Sequence, residues 1–300
     1  MTADTADRGG VGLTLAALAA AMLGLAIAVS RYAYDGGTNG LTVATCRGLV
    51  LLLGLWLFCL ATHRRMALPV ADWLHCAGLG VLMSMMFYGN VGAVEFIDVG
   101  LAALLFFTFP PMIAVINVVV LRETVPWPKL LAVAAAFVGL AMMLGVSVDS
   151  ADWRGLALAL GAAVAAAWNA VWLGRRTRHL DTIVVTLHMA GIAALTLVIL
   201  TIVNDSLQWP TAAIGWFGLA GVVVLQCSGV PMYFVAIGMI GALKCGMVTN
   251  VQPVVSIVAA FLLFGEVLGP LELAGGVLVL GGIFLMQWQD SRERRAEAAA

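Results

Sequence analysis

The sequence predicts an all-α integral membrane protein of ten transmembrane helices, built as two inverted five-helix repeats. Three observations carry that prediction: an apolar composition, an internal echo at constant offset, and a one-sided distribution of basic residues. Of the 300 residues, 63% are hydrophobic and 10% charged, and the mean hydropathy is +1.05. A soluble domain carries about 25% charged residues. So few charges cannot cover a water-exposed surface, so lipid must cover much of this one.

The echo centres on two runs. Residues 107–123 read FTFPPMIAVINVVVLRE and residues 250–266 read NVQPVVSIVAAFLLFGE. In each, a proline (Pro110, Pro253) precedes a glutamate (Glu123, Glu266) by 13 residues, and the copies lie 143 residues apart. The same offset, with no net gap, pairs Gly12 with Gly155, Leu13 with Leu156, Gly48 with Gly191, Trp73 with Trp216, Gly78 with Gly221 and Gly139 with Gly282. Shared Trp, Pro and Glu at one offset are hard to obtain by chance, so tandem copies are expected over 1–148 and 149–300.

Taken in order, residues 1–10 are polar and expected to fray. The first apolar run, 11–30, could be a signal-peptide core, but its partner at 155–174 is internal, so it reads as a retained span. Further apolar runs fall at 39–61, 72–93, 99–121 and 127–147 in the first copy. The second copy supplies 154–173, 182–203, 212–237, 242–264 and 268–288. Each has about the 20 residues that cross a hydrocarbon core of about 30 Å as a helix. Abundant alanine and glycine suit helices packing closely in lipid. The charged tail 289–300 is expected to be a disordered or helical cytoplasmic end without a site.

Ten spans put both ends of the chain on one side. The segments on that side hold Arg8, Arg64, Arg65, Arg122, Lys129, Arg175, Arg176, Arg178, Lys244, Arg292, Arg294 and Arg295; the opposite segments hold only Arg31 and Arg154. By the positive-inside rule both termini face the cytoplasm. Five spans per copy is an odd number, so the second copy enters from the opposite side and a tandem repeat becomes an inverted one. Secondary transporters use that arrangement to rock about a site near the bilayer midplane.

The run from Pro253 to Gly265-Glu266 and the following LELAGGVLVLGGIFLM (271–286) resemble the end of an EamA domain. So do Arg122-Glu123 in the first copy, Arg47 early in the second span and Trp168 with Arg175-Arg176 at the close of the sixth. Two such domains resemble the drug/metabolite transporter (DMT) superfamily over nearly the whole chain. The resemblance implies ten helices and transport of amino acids or related amphiphilic compounds, often exported. One departure is in the first span: Met22-Leu23-Gly24-Leu25 stands where the family often has tryptophan.

Other function classes find little support. No Gly-x-x-x-x-Gly-Lys-Ser/Thr loop is present, which disfavours an ATP-driven pump. The four histidines make no His-x-x-x-His pair, and Cys46, Cys59, Cys76, Cys227 and Cys245 make no Cys-x-x-Cys pair, so no metal site or disulfide framework is read. No catalytic constellation, cofactor motif or basic stripe for nucleic acid is read; the expected partners are a small-molecule substrate and membrane lipid.

The repeat also filters for site residues. A residue shared by both copies belongs first to the fold; a polar residue in one copy only is free to meet an asymmetric substrate. That filter selects Arg47, Tyr88, Asn90, Glu95, Asn169, His188, Gln226, Tyr233 and Gln252 as substrate-binding candidates. Each also has a structural reading. Asn, Gln and Tyr bridge membrane helices, His188 can hold an interhelical hydrogen bond rather than relay protons, and Glu95, with Asp98, can face water at an outer turn. Trp168 and Trp172 share a helix face, as a wall or at the interface. Glu123 and Glu266 read as interfacial, Lys244 as snorkelling, and Pro110 and Pro253 as hinges or packing features.

Arg47 is the sharpest candidate. It stands eight residues beyond Asn39, about 12 Å inside a core about 30 Å thick. An arginine there costs about 2.5–3.5 kcal/mol on insertion scales, so it must face the bundle. Its partner is either internal (Glu95 or carbonyls at a kinked helix) or the anionic group of a substrate.

The functional expectation is a secondary transporter exporting a small amino-acid-like or amphiphilic metabolite from a bacterial inner membrane. The alternatives are uptake or exchange of an anionic metabolite, and a non-transporting membrane sensor or scaffold. The latter would need a sizeable loop or soluble domain; no predicted loop exceeds about a dozen residues, a short connection by ordinary priors.

Overall fold

The computed structural model describes residues 2–93, 96–97, 99–144, 152–265 and 269–299. The first copy forms α1 (Thr2–Asp35), α2 (Gly40–Ala61), α3 (Val70–Gly92), α4 (Val99–Phe106), α5 (Phe109–Val115) with a π-helical turn at Ile116–Val120, and α6 (Trp127–Leu144). The second forms α7 (Trp153–Arg176), α8 (Thr182–Val203), α9 (Ala213–Ile240), α10 (Ala242–Thr249), α11 (Val251–Phe264) and α12 (Pro270–Ala299). Among the described residues eight spans are long and apolar enough to cross a membrane; the shorter apolar stretches Trp127–Met142 in α6 and Leu273–Gly282 in α12 bring the number to ten. The boundary expected between the copies, near residue 148, lies outside the described residues.

One expectation about local structure is corrected, and two others are made specific. Helix α1 begins at Thr2 rather than fraying through residue 10, because a stretch without proline prolongs an established helix at little cost. The tail, expected to be disordered or helical, is helical to Ala299. The fourth and ninth spans, expected to be kinked at their prolines, are both broken, and at equivalent places. A proline has no N–H to give and its ring clashes with the carbonyl four residues back. For Pro110 that carbonyl belongs to Phe106, where α4 ends; for Pro253 it belongs to Thr249, where α10 ends. Equivalence persists at the far end of each run, where Arg122 (φ 54°) and Gly265 (φ 67°) both adopt the left-handed conformation.

The packing obeys a pseudo-two-fold axis. Helix α1 packs on α9 as α7 packs on α3, and α1 meets α10 and α11 as α7 meets α4 and α5. Helix α3 packs on α8 as α9 packs on α2, and the pairs α2–α8 and α6–α12 are self-equivalent. The shared glycines explain how the repeat is held. A Cβ on Gly139 would lie 2.6 Å from the Gly275 carbonyl oxygen, and one on Gly282 would lie 2.8 Å from the Ala132 carbonyl oxygen. These are mirror contacts at the 143-residue offset, and only glycine lets α6 and α12 approach so closely.

The two faces are sealed between repeats in different ways. On the basic face, Arg64 pairs with Asp181, Arg175 with Glu123, and His179 Nε2 lies 3.2 Å from Asp72 Oδ1. On the opposite face, Thr38 Oγ1 donates to the Gln208 carbonyl at 2.6 Å, the Gln208 N–H donates to Thr42 Oγ1 at 2.9 Å, and the Thr211 N–H donates to the Gly36 carbonyl at 2.9 Å. There the Gly36 and Gly215 backbones touch: a Cβ on Gly215 would be 2.8 Å from Gly36 Cα. The offset carries Asp72 and His179 onto Gly215 and Gly36, so these are equivalent seals built from different chemistry.

Candidate functional site

Helix α2 turns a stripe of every fourth residue inward: Val43, Arg47, Leu51, Leu55 and Cys59 are all buried, while Leu49, Leu53 and Leu57 are exposed on the lipid side. Arg47 therefore faces the bundle by register alone, at 8% exposure. Helix α7 does the same with alanines. Ala162, Ala166 and Leu173 are buried around Asn169, which is 1% exposed. Its neighbour α3 comes close enough for Asn169 Nδ2 to donate to the Leu79 carbonyl at 2.9 Å.

These two side chains line a cavity at the level of the helix breaks. It is bounded by Leu23 and Ile27 of α1, Arg47 of α2, Met86 and Phe87 of α3, and Phe106, Phe107 and Phe109 around the α4–α5 break. Ala166 and Asn169 of α7, Gln226, Val230, Tyr233 and Phe234 of α9 and Gln252 of α11 close it. It offers about 90 Å³ to the centres of water-sized molecules. Both repeats contribute, and broken backbone within a membrane is tolerated where it lines such a space. Pro231, inside α9, marks the same wall.

The walls are of two kinds. Phe106, Phe107 and Phe109 form a phenyl cluster with ring centres 5.5–6.2 Å apart. At the repeat offset these three positions become Thr249, Asn250 and Gln252, all polar and all buried. One broken helix is thus aromatic where its mate is polar.

Arg47 has no ion pair among the described residues. Its guanidinium carbon sits 4.4 Å from the centre of the Phe87 ring, and its Nε is buried without a hydrogen-bond partner. Its titratable neighbours are Tyr34 and Cys227, neither a carboxylate. Asn169 Oδ1 is likewise buried and unpartnered. The cavity therefore presents one positive charge, a fully buried unpartnered acceptor, the further polar side chains Gln226, Tyr233 and Gln252, and a phenyl wall. No cluster of His, Cys, Asp or Glu able to hold a metal occurs among the described residues.

Of the nine candidates chosen from sequence, Arg47, Asn169, Gln226, Tyr233 and Gln252 meet at this cavity. Tyr88 and His188 do not line it. His188 Nε2 instead bonds the Met66 carbonyl at 2.8 Å, tying α8 to the α2–α3 connection, which is the interhelical reading. Glu95, the Asn90 side chain, Asp98 and Glu266 lie outside the described residues. Trp168 and Trp172 stack at 4.5 Å on each other, away from the cavity. Sequence reasoning missed the phenylalanines; their one signal was the cluster Phe106-Phe107-Thr108-Phe109 directly before Pro110.

A family model described as the EamA-like transporter family matches residues 10–145 and 153–288. A protein of known crystal structure, 18% identical, superposes with a TM-score of 0.76 over 92% of this chain and 97% of the other. No curated protein matches the sequence.

Proposed function

The chain belongs to the EamA-like transporter family, and from that premise we propose that it is a secondary transporter working by alternating access between its two inverted repeats. The observation that carries this is the cavity at the paired helix breaks, to which both repeats contribute. Two halves of similar shape and opposite orientation can exchange conformations at similar energy, opening the cavity first to one face and then to the other. The cargo is a small amphiphilic organic metabolite of amino-acid size, moved outward. The basic face, with Arg64, Arg175 and Arg178, is cytoplasmic, and the membrane is a bacterial inner membrane. The unpaired Arg47 supports a second reading of the cargo, as an anionic metabolite taken up or exchanged.

Purified protein in liposomes should move its substrate down a substrate or proton gradient with no nucleotide present; strict dependence on ATP would sink the proposal. Orientation has its own test. In intact cells an impermeant thiol reagent should label Asp152→Cys and spare Arg178→Cys, and the reverse pattern would invert the assignment.

A further inference from the structure

We infer that the cavity is built for a monocarboxylate of net charge −1 that carries an apolar, aryl-sized body and one neutral hydrogen-bond donor, in preference to a zwitterionic amino acid. The inference rests on the transporter reading for its meaning in the cell, but not for its chemistry.

The charge balance comes first. Arg47 is the one charged side chain that lines the cavity among the described residues, and no described carboxylate answers it. A guanidinium taken out of water loses several times what a face-on aromatic ring returns. Phe87 therefore leaves the charge under-compensated. A carboxylate entering the cavity can meet the unpartnered Nε and balance the charge at once. A zwitterion brings a carboxylate and an ammonium together, so the occupied site keeps a net charge of +1 in a low-dielectric surrounding. No second charged wall receives that ammonium.

The free acceptor comes next. Asn169 spends its amide N–H on Leu79 and leaves Oδ1 buried and unpaired. A bound hydroxyl or amide N–H satisfies it without adding charge. Last is the body of the ligand. Three phenyl rings stand on the α4–α5 side, while Asn169, Gln226, Tyr233 and Gln252 of the second repeat supply polar groups to the same cavity. A ligand polar at one end and aromatic at the other matches a cavity divided in that way.

Four molecules on one skeleton separate these features: phenyllactate, phenylpropanoate, phenylalanine and phenyllactamide. Binding is measured on the purified full chain in lipid nanodiscs, by calorimetry or by ligand-induced thermal shift. Phenyllactate should bind tightest and phenylpropanoate, without the hydroxyl, severalfold more weakly. Phenylalanine and the neutral amide should each be weaker than phenyllactate by about tenfold or more. Arg47→Gln should reduce phenyllactate to the level of phenyllactamide. Asn169→Ala should erase the advantage of phenyllactate over phenylpropanoate and leave that of carboxylate over amide.

Phenylalanine binding as tightly as phenyllactate overturns the inference. So does absence of binding by all four, whatever else the liposomes transport, and so does undiminished carboxylate preference in a folded Arg47→Gln protein. If that variant does not fold, the wild-type ranking decides alone. Binding in the expected order without movement across liposomes would leave the site standing and remove the transport reading.

Discussion

The contact between α6 and α12 can be tested with a single methyl group. Gly139→Ala places a Cβ 2.6 Å from the Gly275 carbonyl oxygen and 2.8 Å from the Val279 nitrogen. Both are backbone atoms of the facing helix, so no side chain can swing aside, and the two helices must part. Overpacking of this kind costs about 1–3 kcal/mol. Alanine also gains about 1 kcal/mol over glycine in a helix interior, which would disguise the loss. Gly54→Ala supplies the correction, because Gly54 is helical and a Cβ there meets no atom within 4 Å. The difference between the two variants isolates the packing cost. At roughly 2–4 °C per kcal/mol, Gly139→Ala should melt about 2–12 °C below Gly54→Ala. The buried free thiols Cys59, Cys76 and Cys245 provide the assay, since a thiol-reactive dye reaches them only on unfolding. Gly282→Ala should behave alike, and the double variant should lose less than the two single losses together, because helices already parted need not part again. Equal melting of Gly139→Ala and Gly54→Ala would refute the close contact as the reason for the paired glycines.

Two further outcomes are expected. Gly265→Val should lower stability by about 1–2 kcal/mol through the left-handed backbone alone, since nothing lies within 4 Å of its Cβ position, whereas Arg122→Gly at the equivalent position should be neutral or stabilising; an unaffected Gly265→Val protein in thermal denaturation would contradict this. His188→Phe should lose about 1 kcal/mol with its bond to Met66 and leave ligand affinity unchanged; a tenfold loss of affinity in the folded variant would return His188 to the site.

The spans were legible because twenty consecutive apolar residues have few soluble explanations, and the repeat because Trp, Pro and Glu recur at one offset. The helix breaks were half legible. Pro110 and Pro253 announced a disturbance, but a proline acts on the carbonyl four residues upstream, so the breaks fall at Phe106 and Thr249 rather than at the prolines. The polar part of the cavity was legible through the one-copy filter, since Arg47, Asn169, Gln226 and Gln252 stand out against an apolar background. Phe87, Phe106 and Phe109 were not, because in a lipid-facing protein another apolar residue carries no contrast. His188 passed the filter and yet ties α8 to a connection: asymmetry between copies marks freedom from the scaffold's symmetry, not contact with a ligand.

The unlike chemistry of the two seals gives the molecule a one-sided response to its surroundings. Contacts of one kind on both faces would respond alike. Here one face is held by part-exposed charged side chains and the other by threonine–backbone and backbone hydrogen bonds and a glycine contact. Dissolved electrolyte weakens exposed charge pairs over a screening length of about 8 Å at physiological salt and leaves peptide hydrogen bonds nearly untouched. The contacts between repeats on the charged face are therefore the ones that the surrounding electrolyte can loosen. Those on the other face stand in any electrolyte.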